Sequence, residues 1–242
     1  MVNLLDGDLI AYRASASCEP TKAKPFLEPP EVAIWRLNDM IERICIATNS
    51  SEIECYLGGS DNFRYNIYPE YKANRKDKPK PTYLEACREQ LVTQYGSSIV
   101  NGIETDDMLG IRQTQLDGNS RICSLDKDLL MIAGWHWNWV NLEAKLVSPL
   151  DGLKCFYRQL ILGDKSDNIK GFDGALRGTC PKFIEKLQEP INHMTEEIDM
   201  YSYVYDIYAE TENSPDLHVN AQLLYILKEE DKFWQPPGQK DV

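Results

Sequence analysis

Acidic residues recur just after short apolar runs through the first half of the chain. Val2–Asp6 (VNLLD) is an apolar run ending in Asp6, with Asp8 two residues on. Ile53–Leu57 is followed by Asp61, Ser98–Val100 by Glu104, Asp106 and Asp107, and Arg121–Ser124 by Asp126 and Asp128. Apolar runs this short read as buried strands. Helical stretches lie between them: Leu9–Ser17, Glu31–Asn49, Thr82–Tyr95 after a helix-starting Pro81, and Asp106–Leu116. In Glu31–Asn49, residues Ile34, Leu37, Ile41, Ile44 and Cys45 fall near one face. Alternating strands and helices predict an α/β fold with a mostly parallel central sheet. Parallel strands all end on the same side, so acids that follow them converge on one edge, where α/β proteins bind ligands.

The rest of the chain reads differently. Residues 19–30 hold four prolines and form an irregular loop. Residues 62–80 are polar, aromatic and basic without a clean period. His136–Val140 alternates, with Trp137 and Trp139 on one side as core or sheet packing. After Pro149 the pattern is helical over 152–162, 181–188, 195–209 and 217–228, with glycines clustered between the first two. A boundary near residue 160 divides this helical part (161–242) from the alternating part (1–160). The tail after Trp234 carries no assigned role.

Composition narrows the class. Hydrophobic residues make up 43% and charged residues 26% of 242, an ordinary soluble balance. No apolar run approaches the ~18 residues of a membrane span, and the N-terminus lacks a signal-peptide pattern. Seven cysteines without a Cys-x-x-Cys pair suit a reducing cytoplasm. Three scattered histidines exclude a zinc site. The net charge of −12 argues against nucleic acid until its distribution is read. Between Arg64 and Lys80 stand six bases and two acids, whereas the remainder holds 20 bases and 36 acids.

Any single acidic pair is most simply a helix cap, since carboxylates complement free N–H groups and the helix dipole. Several pairs at one end of successive strands are another matter. Asp164 and Asp167, just beyond the helix ending at Leu162, can add to them from the helical part. Crowded carboxylates repel and call for cations. Oxygen ligands without His or Cys suit Mg²⁺ or Mn²⁺. Two such ions about 4 Å apart are the usual arrangement for phosphodiester cleavage.

The segments LLDGDLIAYR, FRYNIYPEYKANRKDKPKP, GIETDDMLG, SLDKDLL and GDKSDNIKGFDG resemble, in order and spacing, the motif series of the flap endonuclease and 5′→3′ exonuclease family. They span roughly residues 3–187, and the short length and the ending NAQLLYILKEEDKFWQPP resemble the phage (podovirus) branch. The resemblance implies a PIN-like α/β nuclease domain with a helical arch at about 62–95. It also implies a C-terminal helix–hairpin–helix (H3TH) module that grips the duplex. Carried over position by position, it implies metal-site acids at Asp6, Asp61, Glu104, Asp106, Asp126, Asp128 and Asp167. Asp107 and Asp164 join them as acids that bacterial and phage members also carry, backing the ligands or holding water. Asp8 stands either with this set or as a cap of the first helix. Lys72 and Arg75 match the arch pair that engages the scissile phosphate, and with Asp128 they are the expected catalytic residues. Arg64 and Lys76 are further candidate backbone contacts. Tyr71 could stack on an unpaired terminal base or pack at the base of the arch.

The duplex-binding turn departs from the family pattern. Members have two close glycines followed soon by a lysine. Here Gly171, Gly174 and Gly178 precede Pro181-Lys182, with ALRGTC intervening. Gly171, Gly174 and Lys182 are the candidate contacts, and K⁺ the candidate cation at that turn. The implied activity is metal-dependent hydrolysis at 5′ ends, nicks or flaps of duplex DNA, with RNA–DNA hybrids and replication proteins as further partners. A PIN-type ribonuclease and a catalytically inactive structure-specific DNA-binding protein are the rivals.

Overall fold

The computed structural model describes residues 1–76, 78–172, 181–211 and 215–238. Five parallel strands form most of the central sheet: β1 (Val2–Asp6), β2 (Ile53–Gly58), β3 (Ser98–Val100), β4 (Ser120–Cys123) and β5 (Gly134–Asn138). A sixth strand, β6 (Glu143–Val147), runs antiparallel to β5. The order is β3-β2-β1-β4-β5-β6. The polar sequence of β6 (EAKLV) concealed it, because residues 143–146 of this edge strand are exposed on both faces and need no apolar alternation.

One face of the sheet carries Leu5, Cys55, Leu57 and Cys123. Against it pack α1 (Gly7–Ala16), α2 (Pro30–Thr48) and α4 (Leu84–Tyr95) through Ile10, Leu37, Ile41, Ile44 and Leu91. Cys18 and Cys87 fill the same core, and Trp137 and Trp139 pack at its margin. Burial pushes the Cys55 thiol to about 12 and the Cys87 thiol to about 11, so both stay protonated.

The other face carries Leu4, Tyr56 and Ile122 and meets α5 (Thr105–Gln115) and α6 (Pro149–Leu162). Ser148 caps α6, accepting from the Asp151 N–H, and Pro149 opens it. The amphipathic α6 buries Phe156, Tyr157, Leu160 and Ile161. Through them it joins the sheet to α8 (Glu197–Ala209) and α9 (Leu217–Leu224) in one continuous core. Between α6 and α8 lie a short hairpin of two-residue strands, β7 (Gly163–Asp164) and β8 (Ile169–Lys170), and α7 (Pro181–Gln188).

The final helix is shorter than its periodicity predicts. It stops at Leu224 because the next backbone groups have tertiary partners. Arg64 donates to the Leu223 and Tyr225 carbonyls, and the Leu227 N–H donates to Asp107. The chain then returns across the body, with Phe233 edge-on to Phe63 and Trp234 buried against Phe156 and Tyr201.

The basic segment folds as two short turns, α3 (Arg64–Ile67) and a 3₁₀ turn at Ala73–Arg75, before α4. It lies against the β7–β8 hairpin. The Asn74 amide donates to the Lys165 carbonyl at 2.8 Å, and Asn168 donates to the Glu70 carbonyl at 2.9 Å. No described helix is long and apolar enough to cross a membrane.

Candidate active site

Strand order reverses between β1 and β4, and a crevice opens beyond their carboxyl ends. A cavity of about 910 Å³ lies there, lined by Asp6, Asp61, Glu104, Asp106, Asp126, Lys72 and Arg75 among others. A second, of about 30 Å³, is lined by Asp128, Asp164, Asp167, Tyr71 and Gln159 and shares Glu104 and Asp106 with the first. The expected convergence of post-strand acids is thus present.

Asp6 ends β1 and is 6% exposed. One oxygen accepts from the Leu9 N–H at 3.0 Å and so caps α1; the other accepts from the Ser124 hydroxyl at 2.8 Å. Burial pushes its pKa to about 6 against these hydrogen bonds, and Asp8 and Asp126 add to the rise. Asp8 is therefore not the cap. It accepts from the Gly58 N–H at 2.7 Å and from Thr105 at 2.6 Å, and pairs with Arg88.

Asp106 lies in the first turn of α5. Burial, followed by repulsion from Asp6, Asp126 and Glu104, raises its pKa well above the ordinary carboxylate range. Asp128 is pushed to about 6, first by burial and then by Asp126, with a hydrogen bond from Gln159 opposing. Asp126 is exposed and accepts from the Asp128 N–H at 2.9 Å. Asp61 is exposed at the cavity wall, and Asp164 accepts from the Ser166 N–H at 2.6 Å.

Lys72 and Arg75 reach into this cluster. Lys72 adopts a left-handed backbone (φ 55°), and its N–H donates to the Asp167 carbonyl at 2.9 Å. Its ammonium pairs with Glu104 and lies 3.5 Å from Asp167. Burial disfavours that charge, but Glu104 and Asp167 outweigh it and raise the Lys72 pKa. Arg75 pairs with Asp167 and donates to the Ser166 carbonyl at 3.0 Å. Lys76 and Lys182 are exposed on the surface.

Two placements, Arg64 and Gly171, correct the sequence reading, and two, Asp107 and Tyr71, decide between the alternatives it left open. Arg64 is 2% exposed, too buried for a DNA contact. It forms a two-pronged pair with Asp107 at 2.6 and 2.9 Å, two further donors go to the Leu223 and Tyr225 carbonyls, and the guanidinium lies 3.8 Å from Glu104. Asp107 is fully buried, held by Arg64 and by the Glu104 and Leu227 N–H groups, so its oxygens do not face the crevice as ligands. Tyr71 is 1% exposed and offers no face to a terminal base; its hydroxyl lies 2.9 Å from both Glu104 and Asp167. Gly171 is buried, and a Cβ there would meet the Ile161 carbonyl at 2.2 Å, so it serves close packing rather than phosphate binding. Gly174, and the turn to which K⁺ was assigned, lie outside the described residues.

Sequence reading missed Ser124, Gln159 and Arg88. Ser124 directly follows β4, which is signal enough. Gln159 and Arg88 sit on helices far along the chain from the groups they touch, and nothing local marks them.

The donor set is made of carboxylates and hydroxyls, the chemistry of a hard divalent cation. Among the described residues no three acids, imidazoles or thiols are arranged to grip an ion as they stand, while Lys72 and Arg75 neutralise Glu104 and Asp167. The raised pKa values of Asp6, Asp106 and Asp128 register burial and repulsion that a cation would relieve, so these residues fit one.

Residues 1–159 match the family described as 5′-3′ exonuclease, N-terminal resolvase-like domain. The chain belongs to this family. The family relatives include the 5′-3′ exonuclease of Buchnera aphidicola subsp. Schizaphis graminum, 26% identical over 185 residues. DNA polymerase I of Bacillus caldotenax is 25% identical over 211 residues, and flap endonuclease Xni of a Shewanella species (strain W3-18-1) 28% over 131. These alignments cover 69%, 76% and 48% of this chain, which spans 64%, 23% and 50% of the three relatives. The exonuclease fold is shared with the bacteriophage T5 flap endonuclease crystallised with DNA and metal ions, at a TM-score of 0.64 and 18% identity. That match covers 92% of this chain and 88% of the phage protein.

Proposed function

We propose that this exonuclease-family chain is a divalent-metal-dependent 5′→3′ nuclease. It hydrolyses phosphodiester bonds at 5′ ends, nicks or flaps of duplex DNA and acts on RNA primers paired to DNA. One observation carries the reading: Asp6, Glu104, Asp106, Asp126, Asp128 and Asp167 meet at the strand-order reversal, with Lys72 and Arg75 laid among them. The family match and the DNA-bound phage neighbour support it.

Asp6, Asp61, Asp106 and Asp126 would hold one Mg²⁺ or Mn²⁺, and Glu104, Asp128 and Asp167, backed by Asp164, a second. Such ions supply a more acidic water and neutralise charge on the reacting phosphate. The chain's own groups do the rest. Lys72 and Arg75 stand where a phosphate enters and offset its growing charge. The Tyr71 hydroxyl stands 2.9 Å from both Glu104 and Asp167, donates its one proton to either, and sets their spacing. Exposed Lys76 and Lys182 contact the duplex backbone, and the glycine-bearing segment before Lys182, with K⁺, grips the duplex. Residues 1–160 form the nuclease domain and 161–242 the duplex-holding part, which also lends Asp164 and Asp167 to the site. The setting is cytoplasmic, alongside replication proteins.

Cleavage of 5′-labelled nicked and flapped duplexes, each in DNA and RNA-containing versions, tests this with Mg²⁺, Ca²⁺ and EDTA. Short 5′ products with Mg²⁺ alone support the proposal. Cleavage of RNA only would favour the ribonuclease reading, and binding without products in any metal the inactive one.

A further inference from the structure

The last strand of the sheet is open. β6 pairs with β5 on one side and ends the sheet on the other. Glu143, Ala144, Lys145 and Leu146 are all exposed, with Leu146 at 59%. Leu146 lies directly opposite Trp135, itself 38% exposed, so an apolar strip continues the covered face of the sheet beyond its helices. Leu142, at 66%, precedes the strand. Among the described residues neither Glu143 nor Lys145 forms a salt bridge, although both stand on one face of β6.

An exposed edge strand is a template for another strand, and proteins usually blunt it with lysine or an inward charge. Here the charges alternate in a pattern that satisfies itself. When two copies of β6 run antiparallel about a two-fold axis at Ala144, Glu143 of each copy faces Lys145 of the other. The same register sets the small Ala144 against itself on the opposite face, with Leu146 of each copy beside it. A one-residue slip loses both matches, because it turns every side chain to the other face.

We propose that a second copy of this chain docks on the β6 edge in this register, extending the six-stranded sheet across a two-fold axis. The contact is isologous, so one favourable Glu143–Lys145 pair appears twice. It lies on the far edge of the sheet from β3, apart from the acid crevice at β1 and β4.

Sedimentation equilibrium of the full chain over a wide concentration range tests the proposal, with Glu143→Lys, Lys145→Glu and Leu146→Lys variants checked by circular dichroism for folding. The wild type should dimerise with rising concentration. Each charge variant turns two attractive cross-strand pairs into repulsive ones and should raise the dimer dissociation constant roughly tenfold or more. Leu146→Lys should do the same by removing the apolar contact. An equimolar mixture of the Glu143→Lys and Lys145→Glu chains restores both opposite-charge pairs and should dimerise again. A wild type that stays monomeric throughout, a dimer indifferent to these changes, or folded variants that fail to associate on mixing would each overturn it.

Discussion

Replacing Asp6 by Asn should stabilise the metal-free protein while removing one of the carboxylates proposed to hold an ion. Asp6 is 6% exposed, and its pKa rises from an ordinary 3.8 to about 6, chiefly through burial. Each pKa unit corresponds to about 1.4 kcal/mol, so ionising this group in the fold costs about 3 kcal/mol relative to the unfolded chain. The sign follows from proton binding. Between about pH 4 and 6 the folded chain holds this proton more tightly than the unfolded chain, so stability falls as pH rises through that window and is level above it. Asparagine keeps the cap to the Leu9 N–H and stays neutral. Urea unfolding in EDTA, followed by tryptophan fluorescence, should show a gain approaching 3 kcal/mol at pH 8 and about half that at pH 5. Added Mg²⁺ should narrow the gap, because an ion bound to the native state stabilises the wild type by mass action. A variant less stable than wild type at pH 8, or an equal gain at both pH values, would refute the argument that burial and crowding strain this carboxylate.

Three other substitutions probe the supports of the site. Arg64→Met leaves Asp107 buried without its partner and should cost about 3–5 kcal/mol in urea unfolding; Arg64→Met with Asp107→Leu should recover much of it. Gly171→Ala forces a methyl group to within 2.2 Å of the Ile161 carbonyl and should cost about 1–3 kcal/mol in the same assay. Tyr71→Phe removes the hydroxyl between Glu104 and Asp167, a charge-assisted contact worth about 1.5–3 kcal/mol. Calorimetric titration with Ca²⁺ should show about tenfold weaker binding, and unchanged affinity would mean that the hydroxyl does not position these acids.

The parallel part of the fold was legible because its strands are short apolar runs and its helices amphipathic. Asp6, Glu104, Asp106, Asp126 and Asp128 were legible for a topological reason: parallel strands deliver their ends to one edge. Lys72 and Arg75 were legible from the family motif, and the structure sets them among Glu104 and Asp167. Where the reading failed, the deciding partner was remote in sequence. Arg64 sits in a basic run and looks like a surface cation, yet Asp107, 43 residues on, draws it inside. Tyr71 was open to stacking or to packing at the base of the arch, and Glu104 and Asp167, both remote in sequence, decide for packing by closing on its hydroxyl. The α9 helix ended early because Arg64 and Asp107 claimed the following backbone. β6 was hidden by exposure on both faces, which leaves a strand no pattern to show.

If the acids at the strand-order reversal hold the ions used in cleavage, removing one of them should abolish the chemistry and spare binding. Single-turnover cleavage of a 5′-flapped duplex by wild type and Asp128→Asn, with duplex binding measured alongside in Ca²⁺, tests it most directly. Asp128→Asn should lose cleavage by several orders of magnitude in Mg²⁺ and bind the duplex as the wild type does. Full cleavage by Asp128→Asn would contradict it.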